Sequence, residues 1–113
     1  MDTSFASGSG ASSTALAGPV QNASPIAEGG TVTVTSGQQN ASLLLNPSGS
    51  RNLVNVILPN PPRDGQILTI GATQMILMVQ FTPDVPSSPD TWDANDVFQI
   101  KWFSALSLWI LLK

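Results

Sequence analysis

The chain has 113 residues, enough for one domain, and its net charge is −3. Charged residues make up only 10% and hydrophobic residues 42%, whereas typical soluble domains are about a quarter charged. So little charge on a small domain indicates that part of its surface meets another protein, and we expect an oligomer. The four cations, Arg51, Arg63, Lys101 and Lys113, are scattered, so no nucleic-acid partner is expected.

The sequence contains no Cys, His or Tyr. Disulfides, His- or Cys-ligated metals and catalytic triads that need His are therefore excluded. We expect no enzyme activity, no cofactor and no metal. The longest apolar run, 106–112, is far shorter than the roughly 20 residues of a membrane-spanning helix. It is expected to be a buried strand, and no membrane partner is expected.

Residues 1–30 form a block rich in Ser, Ala and Gly and nearly free of charge. Such a segment buries too little apolar surface to offset its own ordering entropy, so we expect an extended low-complexity arm. Two interpretations stay open: a plain flexible tail, or an arm that orders on a partner surface by adding a strand. In the second, the apolar anchors are Phe5, Leu16, Val20 and Ile26.

Five strands are predicted between residues 31 and 81. Thr31–Thr35 alternates strictly between polar and apolar residues, as a half-buried strand does. Turn residues then separate three further runs, 41–45, 52–58 and 66–70. The fifth run, 75–81, is apolar at both alternating sets of positions, which predicts a central strand covered on both faces.

A loop follows at 82–96, with three prolines and four aspartates. Strands are predicted again at 97–103 and 108–112, and no window has a helical period. The sequence thus predicts an all-β domain at 31–113: a small antiparallel sandwich or barrel of six to seven short strands, with no internal repeat.

The stretch Asp64-Gly65 is a strong β-turn signal, because Gly adopts positive φ freely. Pro59 and Pro62 fix φ before it and remove backbone donors next to the strand. We interpret the segment as a rigid connection that fixes strand register.

The stretch LPNPPRDGQILTIGATQMI resembles a pattern of tailed-bacteriophage virion proteins: Leu-Pro-x-x-Pro-x-Asp-Gly-Gln, an apolar strand, Ala-Thr, and a further apolar strand. The matching residues are Leu58, Pro59, Pro62, Asp64, Gly65, Gln66, Ile70, Ala72, Thr73 and Ile76. SLLLNPSGS is similar to that family's upstream element, and DVFQIKWFSALSLWILL to its aromatic final strand. The resemblance covers residues 31–113. The ending differs, since Trp109 is followed by Ile-Leu-Leu instead of a Trp-Tyr-Arg-like element, which favours burial of the last strand.

This resemblance implies a structural antiparallel β-domain, often a homotrimer. The first hypothesis is a capsid decoration or cement protein made in the host cytoplasm and placed on the capsid exterior. Its trimer would lie over capsid-subunit junctions, with arms bound to the major capsid protein or another virion protein. The alternative is a head-fibre or tail-fibre protein that binds a host surface glycan.

Aromatic residues are the remaining candidates for a site. Trp92 lies among the loop aspartates, so we expect an exposed contact with a partner or a glycan. The four loop aspartates do not have EF-hand spacing, and a solvated acidic loop is expected rather than a Ca²⁺ site. Four further aromatic or apolar residues are expected in the core or a subunit interface: Phe98, Ile100, Trp102 and Trp109.

Overall fold

A computed structural model describes residues 19–35, 37–86 and 88–112. Phe5 and Leu16 lie outside the described residues. The described part contains no helix and eight strands: β1 (Val20–Ala23), β2 (Thr31–Thr33), β3 (Asn40–Leu45), β4 (Val54–Ile57), β5 (Ile67–Ala72), β6 (Val79–Thr82), β7 (Val97–Phe103) and β8 (Leu108–Leu111). None of the described residues forms a helix long and apolar enough to cross a membrane.

The first seven strands alternate between two sheets, and β8 stays in the same sheet as β7. One sheet has five strands in the order β1-β3-β5-β7-β8, and the other has three in the order β2-β4-β6. β1, β3 and β5 pair in parallel, as do β2, β4 and β6. The chain therefore makes three stacked coils, β1–β2, β3–β4 and β5–β6, in the manner of a short β-solenoid. A hairpin, β7–β8, follows the last coil, with β7 antiparallel to β5 and β8 antiparallel to β7.

The all-β prediction is confirmed, but the predicted antiparallel pairing is wrong for most strands, and the barrel alternative is wrong. Among the strands, antiparallel pairing is confined to β5, β7 and β8, and both sheets are open, with edge strands at each end. The physical reason lies in the connections. Parallel neighbours need a crossover between them, and here each crossover contains a strand of the opposite sheet.

The coils differ in length. Ser42 pairs with Val20, 22 positions earlier, whereas Thr69 pairs with Ser42, 27 positions earlier. In the other sheet, Asn55 pairs with Thr31, 24 positions earlier. The structure therefore repeats while the sequence has no fixed period, which is why no repeat was predicted.

The core lies between the two sheets. Every second residue of the central strands points into it, and these residues are almost fully buried. The main contributors are Leu43, Leu45, Leu68 and Ile70 from the five-stranded sheet and Val54, Val56, Val79 and Phe81 from the three-stranded sheet.

The predicted central strand at 75–81 is also wrong. Only Val79–Thr82 forms a strand, and it lies at the edge of the three-stranded sheet. Of the preceding residues, Ile76 is buried while Met75, Leu77 and Met78 are exposed. This segment connects the two sheets, so its apolar side chains are divided between the core and the surface instead of covering two faces of a strand.

The fold begins earlier than the predicted boundary at residue 30. Val20 lies in β1 and pairs with Ser42 of β3. Ile26 is only 4% exposed and belongs to the core. Both residues were expected to anchor an arm on a partner, and their place in this chain's own sheet and core corrects that expectation.

Candidate interaction surfaces

The proline-rich turn is tied to two other parts of the fold. Gly65 has φ +74°, as the turn signal predicted. The Asp64 carboxylate accepts hydrogen bonds from Ser104 Oγ at 2.8 Å and Ser104 N at 3.3 Å, and the Asp64 carbonyl accepts one from Gln39 Nε2 at 2.9 Å. The Ser104 hydroxyl in particular lowers the pKa of Asp64. The turn is thereby hydrogen-bonded both to the β2–β3 connection, through Gln39, and to the β7–β8 turn, through Ser104.

The buried side chain of Gln66 stabilises the same turn by hydrogen bonds. It is a polar residue only 1% exposed. Its Oε1 accepts a hydrogen bond from Arg63 N, and its Nε2 donates one to the carbonyl of Gln38, both at 3.0 Å. The side chain thus closes its own turn and links the β4–β5 connection to the β2–β3 connection, which fixes the position of the prolines just before it.

These prolines form one wall of an apolar groove of about 350 Å³, which we call the Trp groove. It lies where the ends of β4 and β6 meet the hairpin, and no charged residue lines it. The principal lining residues are Ile57, Pro59, Pro62, Pro83, Trp102 and Trp109.

The two tryptophans of the groove contact each other, with ring centroids 5.8 Å apart. Trp109 is fully buried, and its indole Nε1 has no hydrogen-bond partner among the described residues. A buried indole N–H usually finds an acceptor, so this unpaired donor is an exception within the core.

A second apolar surface lies on β8, the edge strand of the five-stranded sheet. Trp109 and Leu111 face the core, so alternation puts Leu108, Ile110 and Leu112 on the outer face. Leu108 is 39% and Leu112 45% exposed, and Ile110 is half-buried. We call these three residues the β8 stripe. An apolar, uncharged edge strand is a surface at which other chains associate.

The four aromatic or apolar residues expected in the core or an interface face the core. Ile100 and Trp109 are buried, while Phe98 and Trp102 are half-buried and pack against the core cluster. Their alternation along β7 and β8 was visible in the sequence. The Trp groove itself was not predicted, because Ile57 and Pro83 are far from the hairpin in the sequence.

Trp92 is only 1% exposed, so the expectation of an exposed contact is wrong. Its backbone bridges to Ile76, its Nε1 donates to the carbonyl of Pro89 at 3.0 Å, and its ring lies 4.6 Å from that of Phe98. The loop at 83–96 therefore covers the last coil with this side chain. Within the described residues no group of three Asp or Glu side chains could hold a metal ion.

The opposite end of the coils is held by polar side chains. Gln21 of β1 donates from Nε2 to the carbonyl of Thr33 at 2.8 Å, and its Oε1 accepts from Thr35 N at 2.9 Å. The Glu28 carboxylate accepts from the backbone N–H groups of Asn52 and Leu53, both at 2.8 Å. These bonds, led by the one from Asn52, lower the pKa of Glu28.

Comparison of the chain with protein-family models, with curated proteins and with solved structures found no match.

Proposed function

We propose that this chain is a structural protein of a bacteriophage virion that decorates and stabilises the capsid as a homotrimer. The class of protein rests on the resemblance of residues 31–113 to phage virion domains. The structural observation that carries the proposal is the β8 stripe: three partly exposed apolar side chains on the edge strand of the five-stranded sheet, with Lys101 of β7 beside Ile110 on the same face.

The stripe has the form of a protein contact. Its three side chains follow one another at every second residue and together extend over about 14 Å. Exposed apolar surface of this kind marks protein interaction sites, and charged residues are depleted at the centre of interfaces. In a trimer, three copies of the stripe converge on a three-fold axis, where each copy contacts both neighbours.

The decoration function assigns no chemistry to the chain. Protein association alone stabilises a shell: a trimer placed over a junction between capsid subunits links them, and three tethered arms act together through a high effective concentration. The fold suits this task because a rigid domain carries both the trimer contact and the arms.

The trimer contact is tested with Ile110→Lys, which places a second positive charge beside Lys101, the β7 residue paired with Ile110. We expect the wild-type chain to have the molar mass of a trimer by light scattering and the variant that of a monomer. Thr31→Lys, which places the same charge at an exposed position on the opposite sheet, is the matched control and should stay trimeric. A trimeric Ile110→Lys would contradict the proposed contact.

The arm is tested by deletion. Because Val20 and Ile26 belong to the fold, the deletion must stop at residue 18. We expect the shortened chain to remain trimeric but to occupy fewer sites on purified capsids than the full chain. Full occupancy without residues 1–18 would contradict arm-mediated binding. Copy number separates decoration from a fibre, because a decoration protein is present in hundreds of copies per virion.

The glycan-binding alternative was motivated by an exposed Trp92. Since that side chain is buried, no observation favours the alternative, and we do not propose it.

A further inference from the structure

We infer that the Trp groove binds the Phe5 side chain of the same chain. This inference goes beyond the proposed function, does not depend on a phage origin, and concerns the protein away from a capsid, where the arm has no other partner. It assigns a binding partner within the chain to a groove that the described residues leave open.

The chemistry of the groove defines its occupant. The lining is mostly apolar and carries no charge, and its two polar residues are Asn60 and Thr82. The occupant should therefore bring an apolar side chain together with a hydrogen-bonding group. A short extended peptide offers both, because each residue carries a carbonyl beside its side chain.

The size of the groove favours an aromatic residue. An engineered apolar cavity of about 150 Å³ holds one benzene molecule. The groove, at about 350 Å³, has room for an aromatic ring together with the backbone on either side of it. Aromatic rings also gain from edge-to-face contact, and Trp102 and Trp109 present two rings to an incoming one.

The N-terminal segment matches this description in charge and composition. Residues 1–18 contain a single charged side chain, Asp2, and one aromatic residue, Phe5. The residues around Phe5, from Thr3 to Gly10, are uncharged and enter an uncharged groove without burying an unpaired charge. Met1 and Leu16 are the other large apolar side chains of the segment, but they lack the ring that the two tryptophans favour.

The described chain also begins close to the groove. Pro19 borders a surface depression together with Gln38 and Arg63, and Arg63 directly follows Pro62 of the groove wall. From Phe5 to Pro19 the chain can extend over about 50 Å, while the longest dimension of the molecule is 38 Å. Phe5 can therefore reach the groove of its own chain, where tethering gives it a high effective concentration.

Paramagnetic relaxation in the full-length chain tests the inference. Because the sequence has no Cys, Ser4→Cys introduces a single thiol, which is labelled with a nitroxide next to Phe5. The three Trp indole N–H signals are recorded by ¹⁵N NMR, and Trp109→Phe identifies that of Trp109. We expect the label to weaken the Trp109 and Trp102 signals more than that of Trp92, which does not line the groove.

Two controls decide the result. Phe5→Ala in the labelled chain should restore the Trp109 signal, and Leu16→Ala should not. In the Ile110→Lys background, which the proposed trimer contact makes monomeric, mixing ¹⁵N-labelled chains without nitroxide with spin-labelled chains of natural isotope content should leave the Trp109 signal unchanged. Broadening that survives Phe5→Ala, equal broadening of all three indoles, or broadening in the mixed sample would each overturn the inference. Broadening in the mixed sample would indicate a second copy as the source. An unchanged Trp92 signal in each variant shows that the domain is folded.

Discussion

Gln66→Met should lower the free energy of unfolding by about 1–3 kcal/mol, because it removes two buried hydrogen bonds that each contribute about 0.5–1.5 kcal/mol net. Methionine has a similar length, so the cavity term is small. What changes is that Arg63 N and the Gln38 carbonyl lose the partners they have at 3.0 Å. The β4–β5 connection is then no longer linked to the β2–β3 connection through this side chain.

Thermal and urea denaturation followed by far-ultraviolet circular dichroism measure the effect. A loss of 1 kcal/mol shifts the midpoint of a domain of this size by about 4–8 °C. Gln80→Met, an exposed position on β6, is the matched control and should change stability by less than about 0.5 kcal/mol. If Gln66→Met were as stable as the control, the linkage between these two connections through Gln66 would be refuted.

Three further predictions concern single positions. Leu45→Ala should cost about 2–5 kcal/mol in urea unfolding, since Leu45 is fully buried between the sheets. Gly65→Ala should cost about 1–2 kcal/mol in the same assay, because its φ of +74° is unfavourable for a residue with a Cβ; an unchanged midpoint would mean that the turn relaxes. Glu28→Gln should reduce acid sensitivity. The lowered pKa of Glu28 makes its contribution fully present above the ordinary value of 4.5 and lost as the pH falls through the folded-state value; parallel stability-against-pH curves for the two proteins would contradict this.

Strand positions could be predicted wherever polar and apolar residues alternate in the sequence. The run at 31–35 contains β2, and Val97–Phe103 was predicted with its bounds correct. β1 could not be predicted in this way, because its sequence, VQNA, has no apolar alternation. The segment forms a strand through its backbone pairing with β3.

Strand partners could not be predicted, for a physical reason. An apolar run is compatible with a parallel or an antiparallel neighbour, and the choice depends on the path of the connection. In this chain the coils vary in length because the connections vary, so no periodic signal reveals the parallel stacking. The loop aspartates Asp84, Asp90 and Asp93 are exposed, as a solvated loop predicts, but the Trp92 side chain among them is buried in the core.

The two ends of the stacked coils explain why both proposed contacts lie on the hairpin. A parallel stack exposes backbone groups at each end and needs a cap. At the first coil, Gln21 supplies polar partners to Thr33 and Thr35, which makes that edge less available to another chain. At the last coil the cap is the β7–β8 hairpin, which extends the five-stranded sheet past the three-stranded one.

This unequal extension leaves the hairpin with apolar side chains on both faces. Its inner face extends past β6, the last strand of the opposite sheet, and Trp102 and Trp109 line the groove there; its outer face carries Leu108, Ile110 and Leu112. A cap built of polar residues would have closed the stack without these surfaces. The apolar hairpin therefore serves both as the cap of the coils and as the surface through which we expect this chain to associate.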